Sequence, residues 1–401
     1  MGVASGESLC AMSRAAGSAG SVGRADPIAA PYTQLMASSR HLLARAGRPA
    51  VCLTAVCCGM LATAPPARSG GARRLTLSQL VGQRLVVALH GTQADGWLRG
   101  RIRAGQVGGV ILFSSNVASP SQLTALSASL QAAARAGGQP PLIISTDQEG
   151  GLVRRIPWAP PKRSAEQLGQ LASSVSDTAG SRTGAALRNV GVNVDLAPVA
   201  DVPAGPWDFI QQQHRAFSTS RYTVARDAAA FAHGLESRKV WPVLKHFPGL
   251  GLATVSTDDA LVRITASSRS LIRRLLPYKV AFRRGLDPVV MLSTAIYPAL
   301  DWRAAAWSRP IIRGLLHRRL GFTGVTITDS LDAAAAVRHR TDDALALRSV
   351  RAGADLILIT GSESASASVF QSLLTAARAG TIPRSRLVAS YDRILALKGH
   401  L

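Results

Sequence analysis

From Leu75 onward, short β-branched and apolar runs alternate with longer stretches rich in Ala, Leu and Arg. The short runs predict strands at 85–89, 110–113, 142–145, 194–198, 243–246, 289–293, 325–328 and 355–359. Helices are expected between most of them, at 121–136, 177–189, 224–238, 268–284, 309–319 and 342–352, with 364–379 after the eighth strand and a last one near 384–398. Strand and helix in regular alternation build βαβ units and a parallel sheet. Eight such units over about 320 residues predict an α/β fold, a closed (β/α)8 TIM-type barrel; a doubly wound open sheet is the alternative.

A barrel makes a further demand. Residues just past each strand should be polar and should meet at one mouth, because all parallel strands end on the same face. His90, Ser114 to Asn116, Asp147 with Glu149, Asp195 with Asp201, Lys245 with His246, Ser293-Thr294, Asp329 and Thr360 stand at those positions. Each residue by itself is equally at home as a turn former or helix cap. Their joint placement is what points to a site. The chain is organised most clearly around Trp241 to Gly251, where an apolar run ends in Lys245, His246 and a Pro/Gly turn.

Two carboxylate positions carry candidate chemistry. In Asp147-Gln148-Glu149-Gly150-Gly151 an acidic pair at a strand end is followed by glycines that permit a sharp turn, with Arg154 and Arg155 close behind. Such a set suits a polyhydroxylated ligand, and would equally suit a tight turn with a charged rim. Asp329 follows the strand at 325–328, where rigid backbone would hold a nucleophile or general base; as an N-cap it would instead bind the next helix.

Composition narrows the class. With 401 residues and 47% hydrophobic content the chain is globular, and its net charge is +23. The basic residues are scattered, without a long basic run interleaved with aromatics, so nucleic acid is not expected as a partner. Long-range attraction to anionic wall polymers is an electrostatic expectation. Cys10, Cys52, Cys57 and Cys58 all precede residue 60, so no disulfide or thiolate metal site is expected in the folded part, and no metal or cofactor is implied. Arg40, His41, Arg45 and Arg48 precede an apolar run at 50–64 and then Pro65-Pro66-Ala67, which reads as an export signal too short for a stable transmembrane anchor. A low-complexity tail is the alternative, and a lipid anchor is not supported. The expected organisation is a leader or upstream mis-start at 1–35, an export signal and linker at 36–67 beginning at Met36, and the barrel at 68–401. No further domain is expected after the last helix.

The segments Asp147-Gln148-Glu149-Gly150-Gly151, Asn193 to Val202, His214-Arg215-Ala216-Phe217, Lys245-His246-Phe247-Pro248-Gly249, Tyr297-Pro298-Ala299-Leu300 and Thr328-Asp329 stand in the order found in family-3 glycoside hydrolases. Over about residues 75 to 400 the chain resembles that family, most closely its single-domain β-N-acetylhexosaminidase branch, without the second α/β domain of larger relatives. The resemblance implies that Asp329 is the nucleophile of a retaining exo-β-glycosidase and forms a covalent glycosyl-enzyme. It also implies that Asp147, Arg215, Lys245 and His246 bind the sugar hydroxyls. An exported enzyme acting on N-acetylglucosamine-containing cell-wall fragments is the expected function.

The sequence departs from the family at one place. Relatives of the N-acetylglucosaminidase type continue the Lys-His-Phe-Pro-Gly motif with His-Gly and then an Asp-Ser-His dyad whose His is the acid/base. Here Leu250 replaces the first His, and Ser256-Thr257-Asp258 occupies the dyad's place. Loss of an acid/base costs on the order of 10² to 10⁴ in rate. Asp258, or less directly Asp259, is the candidate substitute, provided that burial or like charge raises its pKa. The alternatives are a β-glucosidase or other exo-β-glycosidase on the same scaffold, and a catalytically impaired barrel that binds wall glycans.

Overall fold

The structure, a computed structural model, describes residues 75–333 and 340–401. The expected leader at 1–35, Met36, the export signal at 36–67 and all four cysteines lie outside the described residues. Eight parallel strands form the sheet: β1 (Leu85–Ala88), β2 (Gly109–Leu112), β3 (Ile143–Thr146), β4 (Val194–Asp195), β5 (Trp241–Phe247), β6 (Val289–Leu292), β7 (Thr326–Thr328) and β8 (Ile357–Ile359). They run round in chain order, and β8 returns to pair with β1, Leu85 opposite Ile357. Between β7 and β8 the ring closes through a bridge of Ile327 with Leu356, where Leu356 N donates to Thr326 O at 2.8 Å and Thr328 N to Leu356 O at 3.0 Å. The expected barrel is therefore present, and the open sheet is not.

Nearly every strand residue is buried, on both faces of the sheet, which is why β1, β2, β6 and β8 read as unbroken apolar runs, while β3, β5 and β7 also bury Ser145, Thr146, Lys245, His246, Thr326 and Thr328. In β1, Val86 and Ala88 point inward and Leu85 and Val87 outward to the helices. The inner core holds Val86, Ile111, Ile143, Val194, Val243 and Val289, and Ile394 and Leu397 join it from the last helix, Arg384–Gly399. That helix therefore closes the base of the barrel. Apolar packing stops at the other end, where the strands finish.

Three local differences from the sequence expectations have simple causes. The helix expected at 268–284 is two, Ser268–Arg274 and Leu276–Arg283, because Pro277 has no N–H to continue the first. Regular pairing in β4 stops at Asp195, ahead of Pro198, although Val243 N still donates to Ala197 O at 2.9 Å. A further helix, Gly96–Arg103, lies between β1 and β2, started by Asp95, whose Oδ1 accepts from Leu98 N at 2.7 Å. Its two glycines weaken the helical signal. No helix among the described residues is long and apolar enough to cross a membrane.

Candidate active site

Inward-facing positions near the strand ends make the floor of a cavity of about 620 Å³ at the mouth: Ile111, Leu196, Met291 and Leu358. All seven predicted site residues line it, namely Asp147, Arg215, Lys245, His246, Asp258, Asp259 and Asp329. Lys245 reaches it by strand register. It lies two residues beyond the inward-facing Val243, so its side chain points to the same interior.

Lys245 is buried and ion-paired on both sides, with Nζ 2.7 Å from Asp147 Oδ1 and 2.7 Å from Glu149 Oε1. Arg215 approaches Glu149 from the other direction and donates Nε to Oε2 and Nη2 to Oε1, both at 2.8 Å. Two cations and two carboxylates thus alternate along one wall. Burial by itself would raise the Glu149 carboxyl, but Arg215 and Lys245 outweigh it and hold it well below the usual carboxylate range. Burial likewise opposes the charge on Lys245, and Asp147 and Glu149 reverse that and raise its pKa. The set is a preorganised group of fixed charges, able to make charge-assisted hydrogen bonds.

His246 is fixed from behind. Its Nδ1 lies 2.7 Å from Asp201 Oδ2, and Asp201 Oδ1 accepts from His246 N at 3.1 Å and from Leu250 N at 2.6 Å. One buried carboxylate therefore orients the imidazole and anchors the turn that follows β5. Tyr297 pins the same turn by donating its hydroxyl to Gly249 O at 3.1 Å. Asp195, fully buried behind Asp147 and Glu149, accepts from Gln148 N at 2.9 Å, and burial pushes its carboxyl up to about 8.

The loop after β5 brings Asp258 to the cavity, with Asp258 N donating to Ser256 Oγ at 3.1 Å. Asp258 is an exposed residue at the rim of the cavity. Desolvation first, and then the charge of Asp329, raises its pKa. Asp329 stands at the end of β7, where its N–H donates to Leu292 O at 2.9 Å and its Oδ1 accepts from Ser330 N at 2.8 Å. Beside it, Asp332 accepts from Thr360 N at 2.9 Å and Ser330 Oγ at 2.7 Å, tying the ends of β7 and β8 together. Among the described residues no group of three or more His, Cys, Asp or Glu side chains is arranged to hold a metal ion.

Two residues are more central than the sequence reading made them. Glu149 joins Arg215 to Lys245, and its spacing of two from Asp147 was the available signal, since extended backbone places such residues on one side. Asp201 was visible as a polar residue beyond a strand and within the segment Asn193 to Val202, with no role attached.

Residues 77–397 match the sequence profile described as the glycosyl hydrolase family 3 N terminal domain. The chain belongs to glycosyl hydrolase family 3. This family-3 barrel is 33% identical over 336 residues to an uncharacterized secreted glycosyl hydrolase of Arthroderma benhamiae, covering 82% of this chain and 94% of that one. It is similar to the crystal structure of a β-N-acetylhexosaminidase from Beutenbergia cavernae, with a TM-score of 0.75 and 33% identity over 81% of this chain and 99% of that one. A β-N-acetylglucosaminidase from Paenibacillus sp. str. FPU-7 superimposes with a TM-score of 0.78 and 33% identity, covering 81% of this chain; the family-3 barrel spans 62% of that chain's length.

Proposed function

We propose that this family-3 glycoside hydrolase is a retaining exo-β-glycosidase that removes terminal N-acetylglucosamine from β-linked glycans, with Asp329 as nucleophile and Asp258 as general acid/base. The observation that carries the reading is the pairing of environments in one cavity. Partial desolvation and the charge of Asp329 both favour the protonated form of Asp258, while Asp329 stands on rigid backbone at the end of β7. In the first step Asp329 attacks the anomeric carbon and Asp258 gives its proton to the departing glycosidic oxygen. In the second, Asp258 takes a proton from water as that water attacks the glycosyl ester and frees Asp329. Asp147, Arg215, Lys245 and His246 bind the ring hydroxyls throughout. The substrate class rests on the relatives, which carry hexosaminidase and N-acetylglucosaminidase names.

The proposal extends to location. An exported enzyme working on wall fragments fits the secreted relative and the basic, apolar-cored segment at 36–67, and a net charge of +23 would favour anionic wall polymers at low salt. Retention on isolated walls that did not weaken as salt was raised would remove the electrostatic part.

The test is hydrolysis of aryl β-glycosides, N-acetylglucosaminide and glucoside included, by wild type, Asp329→Ala and Asp258→Ala. Loss of turnover in Asp329→Ala, with turnover of Asp258→Ala restored by azide and a β-glycosyl azide as product, is expected, because a small anion needs no base. Equal inactivity of wild type and Asp329→Ala on every glycoside would end the enzymatic reading and leave a glycan-binding barrel.

A further inference from the structure

The opposite end of the barrel holds a second cavity, of about 470 Å³, which the proposed reaction does not use. It lies among the helical segment Pro310–Arg319, the last helix Arg384–Gly399 and the Gly353-Ala354 turn that leads into β8. Six arginines line it: Arg84, Arg309, Arg313, Arg318, Arg386 and Arg393. Asp355 is the one carboxylate in the lining, and it is already engaged. Arg393 donates Nη2 to its Oδ1 at 2.6 Å, and Thr326 N and Oγ1 each donate to its Oδ2 at 3.0 Å.

The other five guanidinium groups form no ion pair among the described residues. Arg313 Nε and Arg386 Nη1 donate only to carbonyls, those of Ala352 and Arg351, each at 3.2 Å. Burial, followed by repulsion from Arg386, Arg309 and Arg393, disfavours the charge on Arg313. Two polar groups in the lining are 2% exposed and have an unpartnered atom, Nε of Arg84 and Oγ of Ser390. Arg84 donates Nη2 to the Ala354 carbonyl, which fixes its guanidinium at the cavity wall.

Guanidinium groups clustered in this way repel one another, and a bound anion relieves that repulsion. Guanidinium groups match the tetrahedral oxygens of a phosphoryl group in pairs. We propose that this cavity is a binding site for a phosphoryl oxyanion, separate from the sugar site at the mouth. The site is independent of which sugar the mouth accepts. A single phosphate, or one phosphoryl group of a phosphate chain, would satisfy the same donors.

Isothermal titration of the full chain with inorganic phosphate at fixed ionic strength, alongside linear polyphosphate, tests the site. Binding with a Kd of about 1 mM or tighter is expected, weakened by at least about tenfold in Arg313→Gln/Arg386→Gln. Arg313→Lys/Arg386→Lys, which keeps the charge and loses the fork, should retain part of the affinity, and Asp329→Ala all of it. Both arginines in the test are at least partly solvent-exposed, and a melting curve of each variant confirms folding. Tighter binding of polyphosphate, lost in the same Gln variant, identifies a chain as the better source; equal binding per phosphate identifies the single group. Absence of binding, equal affinity in wild type and the Gln variant, or loss of binding in Asp329→Ala would overturn the proposal.

Discussion

Arg215 grips Glu149 through two 2.8 Å hydrogen bonds, and the same carboxylate lies 2.7 Å from Lys245 Nζ. Glu149→Gln keeps the shape and removes the charge, leaving Lys245 paired with Asp147 and Arg215 without its ion-pair partner. Breaking a buried cluster in this way costs about 3 to 5 kcal/mol. Urea unfolding of wild type and variant measures it, and a loss under about 1 kcal/mol would mean that the cluster does not hold this wall. The Glu149 carboxyl is depressed by Arg215 and Lys245 against the opposing effect of burial, so its stabilisation is present above the ordinary glutamate value of 4.5 and is lost as pH falls below it.

Asp258→Ala should slow hydrolysis of poorly activated glycosides by about 10² to 10⁴, and much less where the leaving group needs no proton. Because burial and the Asp329 charge raise the Asp258 pKa, the alkaline fall of the wild-type pH-rate profile should lie above that of an ordinary carboxylic acid. In Asp258→Ala that limb should disappear. A limb unchanged in the variant would assign the proton transfer to another group, with Asp259 the next to replace.

Asp201 accepts from His246 N, from Leu250 N and from the His246 ring. Asp201→Asn keeps part of this set and Asp201→Ala none. The alanine variant should raise KM more than it lowers kcat, since the loss falls on the imidazole proposed above to bind hydroxyls, with a stability cost of about 2 kcal/mol or more from the orphaned donors. Equal KM in both variants and wild type would remove His246 from the sugar site.

Asp195 gives a pH signature of the opposite sign to Glu149. Burial raises its folded value to about 8, so the folded state keeps a proton that the unfolded chain releases near 3.8. Its contribution to stability is full below that unfolded value and declines as pH rises toward 8, by at most about 1.4 kcal/mol per pH unit. Asp195→Asn retains an acceptor for Gln148 N and should remove this slope. Denaturant unfolding at pH 5, 6, 7 and 8 tests it, and parallel curves for the two proteins would refute it.

The barrel was legible because its strands are buried on both faces and its turns fall at regular intervals, so composition along the chain carries the alternation directly. Four of the seven predicted site residues, Asp147, Lys245, His246 and Asp329, were assignable to the mouth for a related reason, whereas Arg215, Asp258 and Asp259 were picked out only through family likeness. A parallel strand delivers its last polar side chain to a fixed face, so Asp147, Lys245 and Asp329 could be assigned to the mouth from position alone, and family likeness then gave them roles.

Partnership was decided by tertiary structure. Glu149 and Arg215 are 66 residues apart, Asp201 and His246 45. No local pattern states which cation a carboxylate meets. Whether Asp258 is raised depends on burial and on its approach to Asp329, and the arginine cavity at the base assembles from four separate stretches of chain. The amino-acid sequence by itself determined the alternation of elements and which polar groups end the strands, because these depend on near neighbours. Charge pairing, pKa and the shape of both cavities depend on distances through space, which exist only after the barrel has closed.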